Sequence, residues 1–153
     1  MTLERVHGAS SPKDGVISPT GRPDAACVLA WPTPTDRTKR SHTNTTDATE
    51  EGAYAVASLA VHALDGWRII ARTPTESGAD LWMARPVDDP DGQVRLEVSG
   101  IAEGVGAAAA TALRTRLNGK IAQLRRGKAS DPGIAAVVGF ELVRVLVSEL
   151  TER

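Results

Sequence analysis

Two carboxylates stand where they can share one face of a sheet. Asp80 follows the short turn Ser77-Gly78-Ala79 and opens the run Leu81-Trp82-Met83-Ala84, and Glu97 lies in the middle of Val94-Arg95-Leu96-Glu97-Val98-Ser99, where apolar and polar residues alternate. A period of two marks a strand with two different faces, so Glu97 and Ser99 point one way and Leu96 and Val98 the other. Pairing of the two runs brings Asp80 alongside Glu97. Two carboxylates with a backbone carbonyl such as that of Val98 form a set of hard oxygen donors suited to Mg²⁺. An ion held there lowers the pKa of its water and offsets charge on a phosphate during in-line displacement. Each residue also has a plainer reading: Asp80 as a turn residue at a strand start, and Glu97 as half of an ion pair on a solvated face.

The elements that must position this pair are legible from residue 47 onward. Asp47 with Glu50 three residues later resembles a capping box, and Ala53, Val56, Ala57, Ala60, Val61 and Leu64 then recur at helical spacing until Asp65-Gly66, which predicts a helix over about 47–64. Residues 67–73 and 80–85 read as a hairpin, with Pro74 and Pro86 ending the two runs. The cluster Asp88-Asp89-Pro90-Asp91-Gly92 is a strong turn signal before the strand that carries Glu97, and the spacing of Asp89 and Asp91 suits a turn better than a cation loop. Leu113, Leu117, Ile121 and Leu124 form one stripe of a second helix over 107–126. Residues 134–140 fit a buried strand, and 142–147 fit a fifth strand or a terminal helix. The reading is an α/β fold, an α-β-β-β-α-β core with a small mixed sheet of four or five strands flanked by helices, occupying 47–153 as a single domain. Residues 1–46 hold five of the nine prolines and no sustained apolar period, and read as a poorly structured N-terminal segment. Within it, 25–31 is a short strand or a segment that docks on the domain or on a protein partner.

This order of elements, with Gly78-Ala79-Asp80 leading into one strand and Arg95-Leu96-Glu97-Val98-Ser99-Gly100 in the next, resembles the core of the PD-(D/E)XK nuclease-like (restriction-endonuclease-like) superfamily over about residues 47–140. The resemblance implies a nuclease acting on phosphodiesters with Mg²⁺ or Mn²⁺, in which Asp80 and Glu97 ligate the metal and a first-helix acid, Glu50 or Glu51, completes the site. Its motif lysine falls on Ser99, which carries no charge near neutral pH and cannot supply the same electrostatic stabilisation. Lys120 on the second helix is the nearby candidate to replace it. Glu50 has a competing job in the capping box, and Glu51 falls on a polar flank with Ser58 and His62. Without catalysis, the same fold serves as an interaction or regulatory module, for example in a bacterial defence or toxin-associated assembly.

Charge adds a second theme. Arg114, Arg116, Lys120, Arg125, Arg126 and Lys128 give 106–128 six cations and no acid, whereas 47–105 holds four basic and eleven acidic residues. Placed beside the Leu stripe, the cations can follow a phosphate backbone, hold a protein partner, or simply face water. Gly100, Gly104 and Gly106 lie between strand and helix, but without a Gly-Lys-Ser/Thr ending they read as an ordinary connection. Aromatic residues make up only 3% of the chain, which disfavours stacking platforms for single strands, and the net charge of -1 excludes a uniformly basic coat protein. One cysteine, Cys27, and three scattered histidines exclude a structural zinc site. The lack of a leader-like apolar run leads us to expect a cytoplasmic protein with no membrane partner.

Overall fold

The computed structural model describes residues 2–8, 11–74, 77–85, 92–127 and 132–150. In chain order the elements are α1 (Thr2–His7), β1 (Lys13–Pro19), β2 (Ala25–Leu29), α2 (Asp36–Ser41), α3 (Thr45–Asp65), β3 (Arg68–Arg72), β4 (Leu81–Ala84), β5 (Gln93–Ile101), α4 (Gly106–Arg126), β6 (Gly133–Gly139) and β7 (Arg144–Leu150). The fold is α/β, with one mixed sheet in the order β2-β1-β7-β6-β5-β4-β3. The pairs β1·β7 and β5·β6 are parallel and the other four antiparallel.

Alternation along the strands sorts the core into two layers. Leu96 and Val98 of β5, with Ile134, Ala136 and Val138 of β6, meet Ala53, Val56, Ala57, Ala60 and Val61 of α3. On the opposite face Ala135 and Val137 of β6 and Leu146 of β7 meet Leu113, Leu117 and Leu124 of α4. Because both of its faces are covered, β6 is buried along its whole length, which is why Gly133–Gly139 reads as a continuous apolar run instead of an alternating one. Gly100 and Gly139 set the helix distances. A methyl group on Gly100 would stand 3.0 Å from both Ala53 Cβ and the Thr49 carbonyl, and one on Gly139 would stand 2.8 Å from a Leu113 methyl. Glycine at these two places lets α3 and α4 lie close on β5 and β6.

Two expectations change. The sheet has seven strands where four or five were anticipated. From residue 47 onward there are five, β3 to β7, and the other two come from the segment read as poorly structured. Residues 13–29 form an antiparallel hairpin, and β1 runs parallel to β7 with Ile17 opposite Val145. The pairing partner lies more than a hundred residues away, so no local period announced it. The N-terminal part of this chain therefore belongs to the sheet, and 25–29 is its edge strand, docked on the domain.

Helix α3 also starts earlier than the capping-box reading implied. The Asn44 side chain accepts from the backbone N–H of Thr46 at 2.9 Å and of Asp47 at 3.4 Å, and Gly66 at φ 75° ends the helix. Glu50 is thereby released from capping. The turn residues Asp89 and Asp91 lie outside the described residues. No helix among the described residues is long and apolar enough to cross a membrane.

Ile17 is 5% exposed within the α3-side core. Ile17→Ala is therefore expected to lower unfolding free energy by about 2–5 kcal/mol, read from urea denaturation. Val28→Ala on the exposed face of β2 is expected to change it by less than about 0.5 kcal/mol. Equal, small effects for both would show that the hairpin adds nothing to the core.

Candidate active site

A difference in strand length creates the site. Among the described residues β4 pairs with β5 only over Gln93 to Leu96, while β5 continues to Ile101. Asp80 closes this ladder. Its backbone N–H donates to the Leu96 carbonyl at 3.0 Å, and its side-chain Oδ2 accepts from the Val98 N–H at 2.7 Å. A carboxylate thus takes the place of the next strand residue. Beyond it the uncovered half of β5 floors a cleft of about 530 Å³ whose walls include Thr46, Thr49 and Glu50 of α3 and Arg116 and Lys120 of α4.

Glu97 lies on the α4 face of β5 and is 1% exposed. Its Oε1 accepts from Lys120 Nζ at 2.5 Å, and Lys120 also reaches Gln123 Oε1 at 3.4 Å. The other oxygen, Oε2, is buried with no hydrogen-bond partner among the described residues. Burial pushes the carboxyl up to about 7; the Lys120 ammonium opposes that rise, and the neighbouring Asp80 carboxylate adds to it. The reading of Glu97 as half of a solvated ion pair is therefore replaced: its partner is a lysine, and the face is covered by a helix.

Tyr54 ties the α3 side to this pair. Its hydroxyl donates to Glu50 Oε1 at 2.6 Å and lies 3.2 Å from Asp80 Oδ1. Carrying one hydrogen, it serves one carboxylate at a time and links both. Burial first, then the hydrogen bond to Glu50 and the nearby negative charge, raise the Tyr54 phenol well above its ordinary value, so it remains a donor.

Of the expected site residues, Asp80, Glu97, Lys120 and Glu50 come together, and Ser99 lines the cleft. Glu51 does not join them. One residue further round α3, it points to solvent and pairs with His42 Nδ1 at 3.2 Å. Arg116 lines the cleft, whereas Arg114, Arg125 and Arg126 are exposed on α4 away from its lining. At about 100° per residue, Arg114 and Arg125 fall on the flank opposite Arg116. Lys128 lies outside the described residues. Tyr54 and Arg5, which lines the cleft and pairs with Glu103 at 3.0 Å, were not anticipated. The signal for Tyr54 was its place four residues after Glu50, one helical turn along.

The donor set suits a hard cation. Asp80 and Glu97 offer anionic oxygens, and Glu97 Oε2 is a buried oxygen with no hydrogen-bond donor among the described residues. No group of three His, Cys, Asp or Glu that could hold a metal occurs among the described residues. An ion here would rest on two carboxylates, backbone and water, the kind of sphere that Mg²⁺ accepts because it keeps several waters. No protein-family model, curated protein or solved structure matches this chain.

The raised Glu97 value has a thermodynamic consequence. Folding holds this proton to higher pH than the unfolded chain does, so the stability contributed by neutral Glu97 is complete below about 4.5 and is lost as pH rises through about 7. In chelator-containing buffer, denaturation at pH 5 and pH 8 should show the wild type losing stability on the order of 3 kcal/mol relative to Glu97→Gln. Identical pH slopes in the two proteins would refute the burial argument.

Proposed function

We propose that this chain is a metal-dependent, nuclease-like phosphodiesterase acting on nucleic acid, related in design to the PD-(D/E)XK proteins, with the motif lysine supplied by α4 instead of β5. One observation carries the reading: Lys120 Nζ stands 2.5 Å from Glu97 Oε1, so a cation returns to the carboxylate pair although position 99 is serine. Bound Mg²⁺ or Mn²⁺ would supply a Lewis acid for water and a counter-charge for phosphate. The protein's own residues do the rest. Asp80 and Glu97 would hold the ion through anionic oxygens, with Asp80 oriented by the Val98 N–H and bordered by the Tyr54 hydroxyl that it shares with Glu50. Lys120 Nζ keeps donors to orient the attacking water and to face the charge that grows on the phosphate oxygens. Arg116 adds a cation on the cleft wall, and Ser99 contributes a neutral hydroxyl.

A second reading is a non-catalytic binding module on the same fold, for instance in a defence or toxin-associated assembly. It is favoured by one feature: Lys120 already neutralises Glu97 without any further ligand.

Asp80→Asn and Glu97→Gln are each expected to abolish Mg²⁺-dependent cleavage of DNA or RNA, because each removes an anionic oxygen while keeping shape. Lys120→Ala is expected to lower the rate by about 10² to 10⁴-fold. Thermal denaturation should accompany that variant, since removing one partner of a buried pair costs about 3–5 kcal/mol unless the carboxyl takes up a proton. Binding that weakens steeply with salt, without cleavage, would select the module. No cleavage and no salt-sensitive binding would remove both readings.

A further inference from the structure

Helix α3 packs on β5, β6 and β7, and the hairpin of β1 and β2 carries the sheet past it. Between helix and hairpin lies an apolar cavity of about 330 Å³. Alternation turns Cys27 and Leu29 of β2 to this side, where they are half-buried, and Val56, Leu59 and Ala60 line the cavity from α3. Leu59 is 64% exposed, so the cavity opens to water along the helix.

One wall is built against the preferences of the chain. Val143 has φ 47°, a left-handed conformation that a β-branched residue rarely adopts, and two backbone bonds hold it there. Its N–H donates to the Phe140 carbonyl at 3.1 Å, and its carbonyl accepts from the Val16 N–H at 3.0 Å. Gly15 meets it from β1. A methyl group on Gly15 would stand 2.7 Å from both a Val143 methyl and the Val143 carbonyl oxygen, so only glycine lets the strand close on this turn. Strain of this kind gathers at ligand clamps, and an open apolar cavity forgoes contacts that a filled one would add.

Charge names the chemistry of the occupant. Among the described residues that line the cavity there is no Asp or Glu, whereas Arg144 stands at its edge directly after Val143. The one ion pair of this guanidinium among the described residues is a 3.5 Å contact with Asp24 Oδ2, and Asp24 is itself 55% exposed. Such a pair contributes little, and most of the five N–H donors remain for another acceptor. A fork of N–H groups beside an apolar cavity matches a carboxylate that carries a hydrocarbon tail. At roughly 30 Å³ per non-hydrogen atom, the share of a water molecule in its liquid, the volume holds about eleven such atoms. A partner helix, about 10 Å across, does not fit.

We propose that this cavity binds a free medium-chain aliphatic carboxylate, its tail between α3 and the hairpin and its carboxylate on Arg144. No residue lines both this cavity and the cleft beside Asp80, and binding here does not rest on the phosphodiesterase reading.

Titration calorimetry of the full chain with decanoate tests this, beside methyl-group NMR. One site is expected, with a dissociation constant on the order of 10–100 µM, and with shifts concentrated at Leu59, Ala60 and Val143. Arg144→Gln is expected to weaken binding about tenfold, and 1-decanol, which lacks the charge, should bind the wild type about tenfold more weakly than decanoate. Ala63→Phe, placed on the exposed rim of α3 so that the core is left alone, is expected to abolish binding while thermal denaturation stays as in the wild type. No heat and no shifts with decanoate would overturn the proposal, as would binding that Ala63→Phe leaves intact. Equal affinity for decanol and decanoate would overturn the role of Arg144. Shifts at the same residues on dilution of the protein alone, with a dimer in sedimentation, would identify a second copy as the occupant and overturn the carboxylate.

Discussion

A carboxylate held out of water governs the arrangement around it. Glu97 lies under α4 with almost no exposure, and an ionised carboxyl in such a place is expensive unless a cation and further hydrogen bonds compensate. Lys120 provides the cation. Its place on α4 follows from the same helical period that buries Leu113, Leu117 and Leu124: at about 100° per residue it falls beside that stripe, so one face of the helix both packs and neutralises. The side chain of Lys120 is largely buried, and the residue lines the cleft. Rotating α4 enough to expose Glu97 would also pull three leucines out of the second core, which makes the ion pair and the packing one cooperative unit.

The cleft depends on a strand that stops early. Had β4 continued past Asp80, the second half of β5 would be paired and the site filled with backbone. Instead the Asp80 side chain satisfies the Val98 N–H and leaves the rest of the edge open. Gly100 then admits α3 close enough for Glu50 and Tyr54 to reach the same place from the opposite face of the sheet. Short strand, side-chain acceptor and glycine are three local features, and the site exists only where they coincide.

The legible and illegible parts of this protein separate on physical grounds. Helix α3, helix α4, and strands β5 and β6 carry their own periods or apolar runs, so they could be read locally and lie within a few residues of their expected positions. Asp80 and Glu97 could be paired on paper because period two and a hairpin place them in adjacent strands. Strand β2 falls within 25–31, where a short strand or a docking segment was expected, but β1 was missed because Lys13–Pro19 holds two large apolar residues and is held by backbone pairing with β7, a partner far along the chain. Glu50 was assigned to a cap because the pattern from Asp47 resembles one, and Asn44 three residues earlier won the competition for the free N–H groups. The cations of α4 could be counted but not aimed. Only the packed stripe decides that Lys120 and Arg116 turn to the cleft while Arg114 and Arg125 turn away.

The two central carboxylates differ in what holds them. Asp80 accepts from a neutral backbone N–H and shares the single Tyr54 hydrogen with Glu50, contacts that orient it without cancelling its charge. Glu97 is held by a cation in a dry place, with one oxygen unpartnered and a proton retained up to about pH 7. Below that pH a divalent cation at Glu97 Oε2 would have to displace the proton, so uptake there would be coupled to proton release. A cation bound at that oxygen would supply part of the same compensation, and the Lys120 ammonium, already on the cleft wall, would then be open to other acceptors there.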